Sequence, residues 1–387
     1  AGWLAAGALM AFSSAYGQTF FISIFAAGIR EDYGLSHSEW GGLYGASTLA
    51  SAAVMVWLGT TADQFRAARL GAMVLMVMAL ACLAMAVNHA LWILFGIIFV
   101  LRLCGQGMMS HLSQVTMARW FARSRGKALG IASLGFSIGE ALLPIMFVAL
   151  LTVFHWRSLW VLAALMALAA ILPLARLLRN ERVPQSIAED AQVAGMEGRN
   201  WTRPEALRHW LFWGLFPALL GPPAFGTSFF FQQVHIAETK GWSHLDLVAL
   251  FPLYTASSIV SLLFFGWLVD RIGTTRLMPL AQVPMAMGFL VIGLTDGYAG
   301  TGLGVMLLAA THGANATIPG AFWADYFGTR HLGAIRSLVT AVMVLGSAIG
   351  PALTGWLIDA GYPMTAQMPG IAAYVLVTSL LVGAVVT

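Results

Sequence analysis

Twelve apolar stretches, each about 20 residues or longer, alternate with polar loops along the 387-residue chain. A helix of that length crosses a hydrocarbon core about 30 Å thick. Only 9% of the residues are charged, whereas soluble proteins carry about 25%. With 59% hydrophobic residues, the chain cannot cover a water-exposed surface, which excludes a soluble globule. The sequence therefore predicts an all-α membrane protein with 12 transmembrane helices.

The longest polar segment, 179–208, separates six predicted spans from six others. We therefore predict an N-terminal six-helix bundle over 1–178, a linker over 179–208, and a C-terminal six-helix bundle over 209–387. The predicted spans 1 to 12 cover residues 3–28, 39–58, 70–88, 91–113, 126–151, 158–178, 209–236, 246–266, 277–295, 299–323, 333–358 and 369–387.

The basic residues indicate the orientation of the chain in the membrane. Arg30, Arg157 and Lys240 lie in loops that follow odd-numbered spans, and Arg102 lies within span 4. The other Lys and Arg residues lie in the loops that follow even-numbered spans. Because cytoplasmic loops carry an excess of Lys and Arg, we predict that both termini and the linker are cytoplasmic. The predicted location is the cell (inner) membrane, with the lipid bilayer as the main surrounding partner.

The two halves of the chain repeat at an offset of 207 residues without a gap. The matched pairs include Trp3 with Trp210, His37 with His244, Thr48 with Thr255, Gly59 with Gly266, Asp63 with Asp270, Gly139 with Gly346, and Pro144 with Pro351. Hydrophobic composition alone would not align glycines, prolines, histidines and charges. Because both copies have the same direction, the repeat predicts halves related by an axis along the membrane normal.

Two matched loops carry a polar motif. The first reads Gly59-Thr-Thr-Ala-Asp63 with Arg69, and the second reads Gly266-Trp-Leu-Val-Asp270-Arg271 with Arg276. They resemble the cytoplasmic loop signature of the major facilitator superfamily. The resemblance implies two pseudo-symmetric bundles, alternating access to one substrate, and a cavity lined by spans 1, 4, 7 and 10. It also implies a cytoplasmic gate, in which each Asp faces the start of a helix in the opposite bundle when the inside is closed.

Two further stretches resemble the monocarboxylate and oxalate:formate porter-like branch of this superfamily. One runs from Trp120-Phe121 to Arg125-Gly126-Lys-Ala-Leu-Gly130, and the other from Asp325-Tyr-Phe327 to Arg336. This resemblance implies a small organic monocarboxylate as substrate. The interiors of spans 8 and 11, where such porters carry a basic residue, contain no Lys or Arg.

Arg102 in span 4 and Glu140 in span 5 are ionisable groups predicted to lie about 16 Å deep, near the bilayer midplane. Such groups are costly in a membrane and mark substrate or proton pathways. Arg102 can bind an anion while Glu140 exchanges a proton, or the two can form a permanent ion pair. The run Arg102-Leu-Cys-Gly-Gln106-Gly107 also resembles the span-four signature of proton-coupled members of the superfamily.

Other polar side chains are candidates for the substrate-binding cavity. Gln106 shares the helix face of Arg102, and His312 and Asn315 occupy nearly matching positions in span 10. An interhelical hydrogen bond is the alternative role for His312 and Asn315, and His111 is predicted to be structural. The remaining candidates are Tyr16 and Gln18 in span 1, Tyr44 in span 2, and Tyr254 in span 8.

The sequence contains no nucleophile elbow, P-loop or metal-ligand spacing, so we predict no enzymatic activity, no cofactor and no nucleic-acid partner. The favoured function is proton-coupled secondary transport, by symport or antiport, of a small organic anion such as a monocarboxylate. The alternatives are a proton-coupled exporter of amphipathic drugs and a transporter-like membrane sensor. We predict a monomer whose partners are the substrate, H⁺ and the bilayer.

Overall fold

The structure, a computed structural model, describes residues 2–59, 61–121, 125–179, 195–328 and 332–386. Every regular element assigned in these ranges is helical. The chain divides into two compact units, Ala1–Ala188 and Glu189–Thr387. The long helices of each unit lie in the predicted spans, and short helices lie between some of them.

The first unit contains the helices of spans 1 to 6. Span 1 consists of three helical pieces joined by 3-10 turns, and span 4 changes to a π-helix in its middle. The bounds are Gly2–Ser13, Thr19–Ile22 and Ala26–Tyr33 for span 1; His37–Leu58; Ala67–Val87; Leu91–Arg102, Leu103–Met109 (the π-helix) and Ser110–Trp120 for span 4; Arg125–Leu151; and Trp156–Leu177. A short helix, Thr61–Gln64, follows span 2.

The second unit begins with a short segment before span 7. A 3-10 turn, Met196–Gly198, and a helix, Arg203–Arg208, belong to the predicted linker. Spans 7 to 12 contain Trp210–Phe231 and Gln233–Thr239; His244–Val248 and Phe251–Ile272; Val283–Leu294; Tyr298–Phe327; Leu332–Asp359; and Met364–Val386, and the short helix Thr274–Leu277 lies between spans 8 and 9.

Within the described ranges, seven helices are long and apolar enough to cross a membrane, and the bent pair in span 1 makes an eighth. The helices in spans 2, 7, 9 and 10 account for the other predicted crossings. Span 9 is short, while spans 2, 7 and 10 contain Ser, Thr, His, Asn, Gly and Pro, which lower their mean hydropathy. Polar and small residues of this kind are typical of transmembrane segments that face the inside of a bundle.

Small residues allow close helix packing within each unit. In span 5, a Cβ built on Gly139 would lie 3.1 Å from the Cβ of Ala15 in span 1, and one on Gly135 would overlap the carbonyl of Ala8. In span 11, a Cβ on Gly346 would lie 2.6 Å from the carbonyl oxygen of Leu220 in span 7. The matched glycines therefore bring span 5 against span 1, and span 11 against span 7.

One predicted boundary differs from the structure. Span 9 was predicted from residue 277, but its main helix begins at Val283, since Pro284 favours the first turn of a helix. Pro222 and Pro223 lie inside the helix Trp210–Phe231, which is continuous through both prolines. Span 1 is broken, and its two helical arms differ in direction by 48°.

Candidate functional site

Arg102 ends the first helix of span 4, and its side chain is only 1% exposed. Its Nη1 donates a hydrogen bond to the carbonyl oxygen of Gly17 at 2.9 Å, and its Nε donates to Oγ1 of Thr48 at 3.2 Å. The guanidinium carbon also lies 5.1 Å from the ring centroid of Tyr44. All these contacts are with neutral groups of the same unit. The charge of Arg102 is therefore stabilised by dipoles and a ring face.

Span 1 is interrupted where Arg102 meets it. After the 3-10 turn Ser14–Gly17, Gln18 has an extended backbone with φ −88° and ψ 155°, and the helix resumes at Thr19. A helix that stops leaves its last carbonyl groups without intrahelical partners. Arg102 supplies the missing donor to Gly17, so it caps the first arm of the broken helix.

Two glycines allow this approach of spans 1 and 4. A Cβ built on Gly105 would lie 2.6 Å from the backbone nitrogen of Gly17 and 2.8 Å from the carbonyl oxygen of Ser14. A Cβ on Gly17 would in turn overlap the carbonyl of Leu101. Gly105 lies in the π-helix Leu103–Met109, and π-helical turns occur frequently at functional sites. The break and the π-helix therefore face each other.

A small polar network surrounds the guanidinium. Oγ1 of Thr19 lies 2.6 Å from the hydroxyl oxygen of Tyr44 and accepts a longer bond, 3.4 Å, from Nη1 of Arg102. Beside it, Nε2 of Gln18 donates to Oγ of Ser110 at 3.5 Å. Gln18 and Tyr44 of this network were predicted as cavity residues, whereas Gly17, Thr19 and Thr48 were not. Two features of the sequence could have identified them: Gly-Gln-Thr interrupts an apolar run in span 1, and Thr48 is repeated at Thr255.

The other candidates of the first unit lie near the same break. Glu140 is 5% exposed and follows Gly139, which packs on Ala15 of span 1. Glu140 is not among the partners of Arg102. Tyr16 is buried between Phe12 and Phe21, whereas Gln106 is half-buried within the π-helix. Arg102 and Gly139, the neighbour of Glu140, thus both contact span 1 close to its break.

In the second unit, Tyr254 and His312 lie together. Their ring centroids are 5.8 Å apart, and Phe230 packs edge-on against Tyr254 at 5.1 Å. Tyr254 is buried, while His312 is exposed and Asn315, one turn further along span 10, is half-buried. Tyr254 of span 8 thus contacts His312 of span 10 within one unit.

The first signature loop follows span 2. Gly59 forms the C-cap of the helix His37–Leu58, and its carbonyl oxygen lies 3.1 Å from Nε2 of His111. His111 therefore contacts the end of span 2, in keeping with a structural role. Arg69 is exposed. The side chain of Asp63, a predicted gate residue, lies outside the described residues.

The second signature loop follows span 8, and residues 266–276 all lie within the described ranges. Gly266 is half-buried, whereas Asp270, Arg271 and Arg276 are exposed, and the guanidinium of Arg271 lies 4.8 Å from the ring centroid of Trp267. Gly273, with a φ of +80°, ends the helix of span 8.

The next residues bind the end of span 10. Oγ1 of Thr274 donates to Oδ2 of Asp325 at 2.7 Å, and the hydroxyl oxygens of Thr275 and Tyr326 are 3.0 Å apart. Asp325 and Tyr326 belong to the stretch that resembles the monocarboxylate branch, so this stretch has a structural role within its unit.

The family is shown by sequence comparison. The sequence model of the Major Facilitator Superfamily matches residues 7–308 and 224–386. The chain therefore belongs to the Major Facilitator Superfamily, a class of membrane transport proteins and not of enzymes.

Three mammalian relatives are similar over most of the chain. Monocarboxylate transporter 13 of Bos taurus is 28% identical over 268 residues, which are 68% of this chain and 60% of that protein. Monocarboxylate transporter 13 of Rattus norvegicus is 26% identical over 68% of the chain and 60% of that protein. Monocarboxylate transporter 11 of Mus musculus is 28% identical over 63% of the chain and 56% of its own length. The matched region thus spans about 60% of the length of these curated relatives.

Solved structures agree on the fold. The nucleoside transporter NupG has a TM-score of 0.75 at 13% identity, with 99% of this chain and 98% of that chain covered. A bacterial homolog to the human lysosomal transporter Spinster, in an inward-facing and unoccupied conformation, has a TM-score of 0.71 at 16% identity, with 99% and 93% covered. At such identities the likeness shows the fold alone. The predicted all-α fold of 12 transmembrane helices and the resemblance to the monocarboxylate branch are confirmed.

Proposed function

We propose that this protein is a secondary transporter of small organic anions of the monocarboxylate class, working by alternating access and coupled to protons. The observation that carries the proposal is the buried Arg102, whose contacts with the described residues are all neutral. The names of the three mammalian relatives support the same substrate class.

A buried cation without a carboxylate partner attracts an anion. Arginine stays protonated in proteins, and a charge near the middle of a helix in a membrane costs about 2.5–3.5 kcal/mol on insertion scales. A bound carboxylate lowers that cost by replacing weak dipoles with an opposite charge. The same interaction gives the site its preference for anions over neutral solutes.

The geometry indicates how a carboxylate would bind. The hydrogen bonds of Arg102 to described residues use Nε and Nη1, so both N–H groups of Nη2 remain available. The bond from Nη1 to Thr19 is the longest of the three, at 3.4 Å. A carboxylate that displaces Thr19 would accept from Nη1 and Nη2 in the bidentate arrangement that arginine favours. Because Arg102 is buried, we infer that Thr19 and Tyr44 move aside when the anion enters.

Proton coupling is assigned to Glu140, and Glu140→Gln tests it. Glutamine keeps the shape of the side chain but cannot exchange a proton. In proteoliposomes, we expect wild-type protein to exchange a labelled short-chain monocarboxylate by counterflow. A gradient of one pH unit should then accumulate it about tenfold at one proton per anion, because one unit corresponds to about 1.4 kcal/mol. Glu140→Gln should retain counterflow and lose this accumulation.

The exposed Glu31 of the same unit provides the matched control, and Glu31→Gln should accumulate substrate like the wild type. Accumulation by Glu140→Gln at the wild-type level would show that another group carries the proton. Counterflow of a cationic dye in the absence of carboxylate counterflow would favour the drug exporter, and ligand binding without any counterflow would favour the sensor.

The signature loops are proposed to form the cytoplasmic gate implied by the family resemblance. Asp270 is proposed to face the start of span 5 when the cytoplasmic side is closed. A carboxylate at a helix N-terminus contributes about 0.3–2 kcal/mol, so Asp270→Asn should shift the equilibrium several-fold towards the state open to the cytoplasm. We expect a lower transport rate with a smaller change in substrate affinity.

Labelling of single cysteines introduced on each side of the cavity measures that shift. The exposed Asp296 lies in the loop before span 10, and Asp296→Asn should label like the wild type. Identical labelling ratios in Asp270→Asn and wild type would exclude Asp270 from the gate.

A further inference from the structure

The segment before span 7 forms an ordered elbow, defined here as residues 195–213. Trp201 anchors it: its backbone nitrogen donates to the carbonyl oxygen of Phe327 at 2.9 Å, and its ring lies 5.8 Å from the ring of Phe327. Trp201 is only 4% exposed. The elbow is therefore fixed to the end of span 10 in the same unit.

Local contacts hold the short helix Arg203–Arg208 in the elbow. Glu205 accepts hydrogen bonds from the backbone nitrogen of Thr202 at 2.7 Å and from its hydroxyl at 2.6 Å, which form part of a capping box. These bonds hold the pKa of Glu205 below its usual range. The charge of Arg199 is also paired within the elbow, because Arg199 forms ion pairs with Glu197 and Glu205 at 3.1 Å each and stacks on Trp201.

Two other arginines of the elbow, unlike Arg199, have no carboxylate partner among the described residues. Arg203 and Arg208 are exposed, and neither forms an ion pair with a described residue. On a helical wheel they flank the exposed Pro204, opposite the fully buried Ala206. The buried side of this helix thus packs on its unit, and its outer side carries two positive charges.

Two exposed tryptophans continue this surface at the start of span 7. Trp210 and Trp213 begin the helix of span 7 and are 61% and 55% exposed. Nε1 of Trp213 donates to the carbonyl oxygen of Leu207 at 2.8 Å, which ties the start of the span to the end of the short helix. Tryptophan is enriched at the level of lipid headgroups. The four side chains therefore lie where a span leaves the membrane.

We propose that Arg203, Arg208, Trp210 and Trp213 form a binding site for the headgroup of an anionic phospholipid. The arginines complement the phosphate charge, and the indole rings pack at the boundary between headgroup and acyl chain. Because the elbow is already anchored, little conformational entropy is lost when the lipid binds. A lipid held here links the linker to the start of span 7, and this site is separate from the proposed transport site at Arg102.

Lipid titration of the purified full chain, read by native mass spectrometry, tests the site. We expect phosphatidylglycerol to bind more tightly than phosphatidylcholine to the wild type. Each arginine near a charged lipid surface contributes about a factor of five, so the double variant R203Q/R208Q should bind phosphatidylglycerol roughly 30-fold more weakly. The variant R176Q/R179Q removes two exposed arginines at the end of span 6 and measures the general effect of lost surface charge, and R203Q/R208Q should lose more phosphatidylglycerol affinity than this variant.

Equal phosphatidylglycerol affinity in R203Q/R208Q and wild type would overturn the proposal. So would competition by free glycerol phosphate at the affinity of the lipid, which would indicate a soluble anion site. If R203Q/R208Q fails to fold, the dependence on ionic strength tests the site: phosphatidylglycerol binding to the wild type should weaken in 0.5 M ammonium acetate, which reduces the Debye length to about 4 Å. Binding unaffected by salt would contradict a headgroup site built on arginine.

Discussion

Replacing Arg102 by alanine should weaken binding of the transported anion by about 100-fold or more. Truncating one partner of a buried, hydrogen-bonded charge pair costs about 2–5 kcal/mol, and each 1.4 kcal/mol is a factor of ten. Arg102→Lys should recover only part of the affinity, because lysine keeps the charge but lacks the planar donor fork. Direct binding of labelled monocarboxylate to purified protein measures both variants.

The matched control is Arg30, a half-buried arginine of the same unit whose Nε donates to the carbonyl oxygen of Leu35 at 3.3 Å. Arg30→Ala should leave anion affinity unchanged. A folded Arg102→Ala protein with wild-type affinity would place the anion elsewhere, and His312 would be the next residue to test. The ranking of alanine, lysine and wild type separates loss of charge from loss of geometry.

The second large effect is expected at the contact between spans 1 and 4. Gly105→Ala places a methyl group 2.6 Å from the backbone nitrogen of Gly17 and 2.8 Å from the carbonyl oxygen of Ser14. Neither atom can move without shifting the backbone at the break, and such overpacking costs typically 1–3 kcal/mol. We expect a thermal midpoint lower by roughly 2–12 °C and a reduced transport rate, because the distance from Arg102 to Gly17 must increase.

Gly96 in the same span is the control. A Cβ on Gly96 has no atom within 4 Å, and alanine favours a helix over glycine by about 1 kcal/mol. Gly96→Ala should therefore be neutral or slightly stabilising. If Gly105→Ala unfolds at the same temperature as Gly96→Ala, the close approach of Gly105 to Gly17 does not constrain the packing of spans 1 and 4.

The sequence identified the charged residues of the site but not their neighbours. Arg102 and Glu140 stood out because ionisable groups are rare and costly in apolar spans, so two such groups at one depth are informative without a structure. Their equal depth suggested an ion pair. In the structure, the contacts of Arg102 are instead with a carbonyl, two hydroxyls and a ring. Hydrophobicity and depth do not specify which faces of neighbouring helices meet.

The break in span 1 was also missed, and for a related reason. Pro222 and Pro223 were a stronger local signal for a distorted helix than Gly17 followed by two polar residues. A proline costs its helix one hydrogen bond, yet the second unit keeps span 7 continuous through both prolines. In span 1 the interruption is stabilised from outside, since Arg102 caps Gly17 and Gly105 leaves room for the turn.

The sequence alone was sufficient to predict the 12 spans, the repeat, the superfamily and the two buried charges. These properties depend on local hydrophobicity, on residue identity at fixed spacing, and on the strong penalty that a bilayer imposes on charge. Only the tertiary structure decided what Arg102 touches, because its partners Thr48 and Gly17 lie 54 and 85 residues away along the chain. It likewise decided that Asp325 binds Thr274, a partner 51 residues distant. Such contacts arise when helices pack, and no local pattern encodes the orientation of one helix face towards another.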